Sequence, residues 1–495
     1  MTSSSRARGT RGSLALVAAG VLVLAGCSSD DSSEPDTPPE PVNAAVLSES
    51  ITEDALVAHL QELEDIAGEH DGNRAAGTSG YDASVDYVAD VLRDHGFDVE
   101  TPEFDFHSFD VSAETLSSAG SDLEVRALAY SPSTGAEGIT ARVVPAPVDE
   151  TPGCEATDYD GLDVAGAVVL VDRGVCPFTA KQEIAAERGA AAVLVANNEE
   201  GALTGGTLGE PEAGKVPTGG ISQADGAALR AAPGEVTLVL DTVTESSTSR
   251  NVLAQTRTGS TDDVVVVGAH LDSVVEGPGI NDNGTGVAAV LETAVQLGAE
   301  PNVTNAVRFA FWGAEELGLI GSETYVAGLS PEELEDIALY LNFDMLGSEN
   351  AGYLAYDGDD SDQVGAGPGP EGSAGIERTF VEFLGNSGIA ADGTDFDGRS
   401  DYGPFVAQQI PSGGVFSGAD DVKTPAQAEK WGGEAEVNFD RNYHTPDDTL
   451  ANVDRTALAQ HAAAVGFAVG TYASTLDGPN GVPTGEARTQ ARAGE

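Results

Sequence analysis

After residue 248 four short apolar runs recur, at 264–268, 306–311, 339–343 and 410–416, each followed by a stretch of helical character. Strand-like runs alternating with helices favour a central sheet covered by helices on both faces, an α/β architecture. Upstream, Ala55, Leu56, His59, Leu60, Leu63 and Ile66 recur at helical spacing. A second helix is predicted through Val85, Val88, Val91 and Leu92, closed by Gly96, and residues 97–106 read as a strand. With 495 residues, the chain exceeds one ordinary domain.

Charge narrows the function classes. The 82 acidic residues outnumber 23 basic ones, for a formal net charge of −59. Such a chain repels phosphate backbones, which argues against a nucleic-acid partner. The bland reading is a solvated acidic surface, and only a handful of the acids are needed as metal ligands.

At the N-terminus Arg6, Arg8 and Arg11 precede a short apolar run at 14–25, too short for a comfortable membrane span, so residues 1–26 read as a signal peptide. The run ends in Leu24-Ala25-Gly26-Cys27, which resembles the lipobox of bacterial lipoproteins. That resemblance implies lipidation of Cys27, export, and anchoring at the outer face of the cell membrane, with shedding or secretion as a variant. The alternative is a plain cleaved signal with a chance cysteine. Residues 27–45 would be the lipidated cysteine and a flexible, proline-bearing tether.

The chain has two further cysteines, Cys154 and Cys176, whose spacing excludes a CxxC-type metal or redox site. Residues 167–171 and 190–196 read as buried strands flanking a helix at 178–189. This region, placed at 136–247, resembles a protease-associated (PA) domain at Gly153-Cys154, at Val169 to Phe178, at Lys181 and at Gly189-Ala190-Ala191-Ala192-Val193. The family often bridges the two matching cysteines, which implies a Cys154–Cys176 disulfide. The module is non-catalytic in its relatives; it would act as a spacer or shape a substrate entrance. The remaining segments are 46–135 and 248–476, forming one split α/β domain, and 477–495, whose Gly, Pro, Thr and Arg content predicts a disordered tail.

Two of the seven histidines stand beside acids at predicted strand or loop ends. The first, His270, closes the valine-rich run in Gly268-Ala269-His270-Leu271-Asp272. A neutral imidazole can bind zinc while its other nitrogen donates to a carboxylate, for which Asp272 is placed. Alone, His-x-Asp is weak. Asp282 lies between glycines at a loop-to-helix junction, where a carboxylate can bridge two cations or simply cap the helix. Glu315 and Glu316 are adjacent and point in different directions, so one can bind metal while its neighbour acts as a base. Two acids at a helix start also suit the helix dipole. Asp344 ends an apolar strand, where an unpaired carboxylate is expensive. Tyr443-His444 supplies the second histidine with a hydroxyl beside it. Nitrogen and carboxylate donors suit zinc better than calcium or magnesium, and five ligands with one bridging acid make a two-metal hydrolytic site.

In this order the motifs resemble the secreted bacterial dizinc aminopeptidases, of the superfamily that includes glutamate carboxypeptidases and the transferrin receptor. Asn73-Arg74-Ala75-Ala76-Gly77, Asp397 to Phe405 and Pro411 to Gly418 also match. The resemblance implies a three-layer zinc-peptidase fold with a central mixed sheet and two Zn2+ ions per chain. Asp282 would bridge them, with His270 and Asp344 on one and Glu316 and His444 on the other. Glu315 would be the general base for a zinc-bound water, Tyr443 would bind the oxyanion, Arg399 would help hold substrate, and Asp272 would orient His270. The expected substrates are peptides with a free N-terminus. Alternatives are a carboxypeptidase or other amide hydrolase on the same centre, and a non-catalytic zinc- or peptide-binding lipoprotein. One departure stands out: relatives bracket the last histidine with a short disulfide, where this chain has Asn442 and Asp447. His59, His70, His95, His107 and His461 are read as structural.

Overall fold

A computed structural model describes residues 40–493 except residue 366. The signal peptide, Cys27 and most of the tether lie outside the described residues. Two eight-stranded mixed sheets organise the chain.

The first sheet comprises β1 (Val99–Glu100), β2 (Val252–Gln255), β3 (Ser260–His270), β4 (Asn305–Trp312), β5 (Ile337–Phe343), β6 (Leu354–Tyr356), β7 (Asp392–Thr394) and β8 (Ser412–Phe416). Its order is β1-β2-β4-β3-β5-β8-β6-β7. The four central strands β4, β3, β5 and β8 are parallel, with antiparallel partners outside them. All seven residues of β5 are buried, which is why that strand reads as an unbroken apolar run rather than an alternating one. Helices Glu53–Glu69, Ser79–Asp94, Thr285–Leu297 and Arg455–Ser474 contribute to one continuous core through Leu60, Val88, Val290 and Val465. From β3 the chain passes to β4 on one side, then crosses to β5 on the other. Such a reversal opens a crevice at the carboxyl ends of the parallel strands.

The second sheet has a parallel centre of Ile139–Pro145, Val168–Asp172, Ala192–Ala196 and Thr218–Ile221, with helices Phe178–Glu187 and Gln223–Ala231. Cys154 and Cys176 are disulfide-bonded. Two 16-residue strands, Glu103–Ser118 and Glu235–Arg250, run antiparallel from one sheet to the other, pairing Glu103 with Arg250 at their base. The strand expected at 97–106 is thus β1 followed by the first arm of this ribbon, and the second sheet begins upstream of residue 136. The sequence boundary lies at a change of texture, whereas strand pairing carries the second sheet back to Glu103.

At the ribbon base Phe104 and Phe106 cluster with Ala314 and Ile320. Asn251 there accepts from the Gly313 amide at 3.0 Å and donates to the Gly321 carbonyl at 2.9 Å. The insert therefore braces the loop that carries Glu315 and Glu316.

The segment expected as a disordered tail instead forms helix Glu486–Ala493. The buried Arg488 donates to the Asp262 and Glu335 carbonyls at 3.0 and 2.7 Å and pairs with Asp263. Arginines that look like solubilising charges in composition are docked on carbonyls far upstream in the chain.

Replacing Cys154 and Cys176 by serine opens a loop of separation 22, and chain entropy places the loss near ~3 kcal/mol for the second sheet, readable by denaturant unfolding or proteolysis. His461 is fully buried, its Nδ1 facing the Leu346 carbonyl at 3.0 Å, and burial pushes it down to about 4. Above its unfolded value near ~6.5 it is neutral in both states and contributes no pH dependence. As pH falls from there toward 4, the unfolded chain takes up a proton the folded one refuses, so stability declines. In His461→Gln the melting temperature falls less steeply over that window; parallel curves would contradict the assignment.

Candidate metal centre

Four of the candidate side chains follow the carboxyl ends of central strands. His270 is the last residue of β3, Asp344 follows β5, and Glu315 and Glu316 follow β4. Asp282 sits in the turn Ile280–Gly284 before helix Thr285–Leu297. His444 arrives on a loop and adopts φ of 56°. Ala314 and Met345, beside Glu315 and Asp344, also have positive φ, at 58° and 55°. For residues with a Cβ this conformation costs on the order of 1–2 kcal/mol, a cost that the surrounding packing must meet.

These side chains converge on one cleft. Nε2 of His270 is 3.2 Å from a carboxylate oxygen of Asp282 and 3.2 Å from Asp344. Nε2 of His444 is 3.1 Å from the other oxygen of Asp282 and 3.0 Å from Glu316. Asp282 is therefore shared between two trios of donors, each trio lying within 4.8 Å. Glu315 belongs to neither trio; its carboxylate lies 4.0 Å from Nε2 of His270. Tyr443 stacks on His444 at 3.8 Å, and its hydroxyl lies 3.4 Å from Arg399, which pairs with Asp420 at 3.2 Å. A third trio, Asp357, Asp359 and Glu377, has no nitrogen donor, and the Asp357 carboxylate already accepts from the Ser361 and Asp362 amides.

Electrostatics show what the cleft lacks. Burial, with Asp282 nearby, pushes Glu316 up to about 8. Burial also drives Glu315 well above the usual carboxylate range, Asp344 and Asp401 adding to it. Against the effect of burial, His270 and His444 hold Asp282 well below that range. Both imidazoles are raised in return, His270 by Asp344 and Glu315, and His444 to about 10 by Asp282 and Glu316, in each case against burial. The protein's own groups thus leave buried negative charge only partly compensated. In addition, one Glu316 oxygen is buried with no hydrogen-bond partner. Two histidines and three carboxylates with an orphaned oxygen fit divalent cations, and nitrogen with carboxylate donors suits zinc.

A layer behind the donors holds them. Asp272 was expected to orient His270 through its carboxylate, but Nδ1 faces the main-chain carbonyl of Asp272 at 3.1 Å and the carboxylate at 3.8 Å. That carboxylate instead accepts from the amides of Glu315 and Glu316 at 3.1 and 3.3 Å, fixing the paired glutamates. Asp448, unassigned from sequence, accepts from the amides of Asn281 and Asp282 at 2.7 and 3.0 Å; burial pushes it up to about 7. Ser400 donates to Asp344 at 2.7 Å. The fully buried Arg74 donates to the Leu271, Pro278 and Gly279 carbonyls, tying the His270 and Asp282 loops together. Asn442 and Asp447 sit in a hydrogen-bonded loop. The Asn442 carbonyl accepts from the Thr445 hydroxyl at 2.7 Å, and Asp440 accepts from the Asn442 amide at 2.7 Å. Arg74 and Ser400 lie inside segments noted in the sequence and Asp448 lies four residues past His444, but no local pattern marks their distant partners.

Residues 251–469 match peptidase family M28, and residues 139–229 match the PA domain. The probable lipoprotein aminopeptidase LpqL of Mycobacterium tuberculosis is 55% identical over 450 residues, 90% of each chain. An aminopeptidase of Pseudomonas aeruginosa is 44% identical over 83% of this chain and 79% of its own. Among solved structures, an aminopeptidase from Aneurinibacillus sp. strain AM-1 superposes with a TM-score of 0.67 at 28% identity, covering 87% of this chain and 96% of that one. BSAP, a zinc aminopeptidase from Bacillus subtilis, gives 0.56 at 27% identity, over 87% and 98%.

Asp448→Ala removes the acceptor that holds the Asp282 turn without removing a donor. Zinc affinity, measured by competition with a chelating dye, should fall by about 10–100-fold with the far-UV spectrum unchanged. Unaltered affinity would show that the turn needs no such support.

Proposed function

The chain belongs to peptidase family M28 as a zinc-dependent aminopeptidase carrying a PA domain, and from that premise we propose that it trims N-terminal residues from peptides with two zinc ions. His270 and Asp344 would hold one ion, Glu316 and His444 the other, with Asp282 between them. The observation that carries this reading is the division of the Asp282 carboxylate, one oxygen 3.2 Å from His270 and the other 3.1 Å from His444.

Zinc bound there supplies Lewis acidity toward the scissile carbonyl and the attacking water. Glu315 is close to the donors yet outside both trios, so its carboxylate is available to take a proton from that water and pass it to the departing amine. The same burial that raises Glu315 makes it a stronger base when ionised. The Tyr443 phenol, pushed further up by burial, stays protonated and can donate to the oxygen that becomes anionic. Arg399 stands beside Tyr443 at the cleft wall, where it would help hold substrate. Among the described residues lining the cleft it is the one arginine or lysine, and it is already paired with Asp420. A negatively lined cleft suits a free α-amine over a free α-carboxylate, which favours the aminopeptidase over a carboxypeptidase.

A lipid anchor on Cys27 would hold the exported enzyme at the membrane, in keeping with the lipoprotein named among its relatives. Among the described residues no helix is long and apolar enough to cross a membrane.

Release of p-nitroaniline from aminoacyl anilides tests the assignment of the base. Chelated protein should be inactive and recover as zinc is restored. Glu315→Ala should lower kcat by about 10²–10⁴-fold while retaining the zinc content of the parent protein. Loss of zinc together with activity would make Glu315 a ligand instead.

A further inference from the structure

Behind Asp344 a chain of hydrogen bonds runs back into the core. Trp312 Nε1 donates to the Tyr340 hydroxyl at 2.9 Å, and that hydroxyl donates to Oδ1 of Asn342 at 3.0 Å. Nδ2 of Asn342 donates to the Ser400 hydroxyl at 2.8 Å, and Ser400 donates to Oδ2 of Asp344 at 2.7 Å. Trp312, Tyr340 and Asn342 are all withdrawn from solvent. Tyr340 and Asn342 stand two residues apart on β5, which puts them on one face of the strand. Trp312 ends β4, and β3 lies between β4 and β5. The indole and the phenol meet across β3 because residue 268 is glycine; a Cβ there would collide with the Tyr340 hydroxyl and with Trp312 Nε1.

An indole N–H can only donate. Tyr340 therefore accepts from Trp312 and gives its own proton to Asn342. That contact turns the amide nitrogen toward Ser400, which leaves the serine proton for Asp344. Every link points the same way, and the indole sets the direction. With Oδ2 of Asp344 taken by Ser400, Oδ1 is the oxygen left for a metal, and it lies 3.2 Å from Nε2 of His270. Glu316, on the other side, keeps a buried oxygen with no hydrogen-bond partner, so the two sides are supported unequally. We infer that Trp312, Tyr340 and Asn342 are positioning residues for Asp344, holding it to donation through one oxygen and setting zinc affinity on the His270–Asp344 side independently of the Glu316–His444 side. The inference rests on the two-zinc reading. Without the Tyr340 hydroxyl, the Asn342 amide is free to turn its oxygen to Ser400 and draw the serine proton away from Asp344.

Tyr340→Phe removes the hydroxyl and keeps the ring, which stacks on Phe405 at 3.9 Å. The full chain, stripped of metal and titrated with zinc against a chelating dye, should take up two ions. In the variant one ion should bind about tenfold more weakly and the other as in the parent. Anomalous maps of crystals at limiting zinc should place that deficit beside His270 and Asp344. Trp312→Phe, which removes the donor at the head of the chain, should weaken the same ion. Tyr472→Phe controls for the loss of a buried hydroxyl, since Tyr472 bonds Thr379 and the Asn480 carbonyl and does not line the cleft; both affinities should stay at the parent values. Unchanged affinities in Tyr340→Phe and Trp312→Phe, an equal loss at both sites, or a matching loss in Tyr472→Phe overturns the inference. A parent protein that takes up fewer than two zinc ions fails the two-zinc reading instead.

Discussion

Buried carboxylates at the ends of parallel strands are the constraint around which this protein is built. Asp282, Glu315 and Glu316 are withdrawn from water beside Asp344, with two imidazoles but no guanidinium or ammonium among them. Removing one such charge from water without a partner costs several kcal/mol, and here the cost recurs within a few ångströms. Protonation of the glutamates relieves part of it, and a cation from outside the chain relieves it while leaving them ionised. Zinc thereby becomes part of the folded structure as well as of the chemistry.

The scaffold answers this constraint by placing donors on its most rigid parts. Strands β4 and β5 are buried along nearly their full lengths and β3 from Val264 to His270, so His270, Glu315 and Asp344 emerge from positions with little freedom. A second layer then sets the aim of each: Asp272 on the glutamate amides, Asp448 on the Asp282 turn, Ser400 on Asp344. Arg74, from the segment between the first two core helices, binds the loops that carry His270 and Asp282. The PA insert joins the same network, since Phe104 and Phe106 pack beside Ala314. Its ribbon is a brace for the catalytic loop as well as a link between sheets.

Sequence made the candidate centre legible because three of its proposed donors, His270, Glu316 and Asp344, end or follow apolar runs whose meaning is local. The valines before His270 and the strand before Asp344 announce buried strands, and an acid or histidine just after one needs a reason to be there. What stayed hidden depends on distant partners. The role of Asp448 lies in amides 166 and 167 residues away, and nothing in its neighbourhood marks it as different from Asp447. Asp272 does stand beside His270, but a two-residue spacing does not say that its carboxylate also reaches the amides of Glu315 and Glu316. The C-terminal helix escaped for the same reason: Arg488 reads as a tail charge until β3 and the residues before β5 present their carbonyls to it.

The central claim is that one carboxylate, Asp282, joins two zinc ions. Anomalous diffraction from zinc-soaked crystals, collected on both sides of the zinc absorption edge, tests it directly. The account predicts two peaks flanking Asp282, one beside His270 and Asp344 and the other beside Glu316 and His444. A single peak, or two that do not share Asp282, would contradict it.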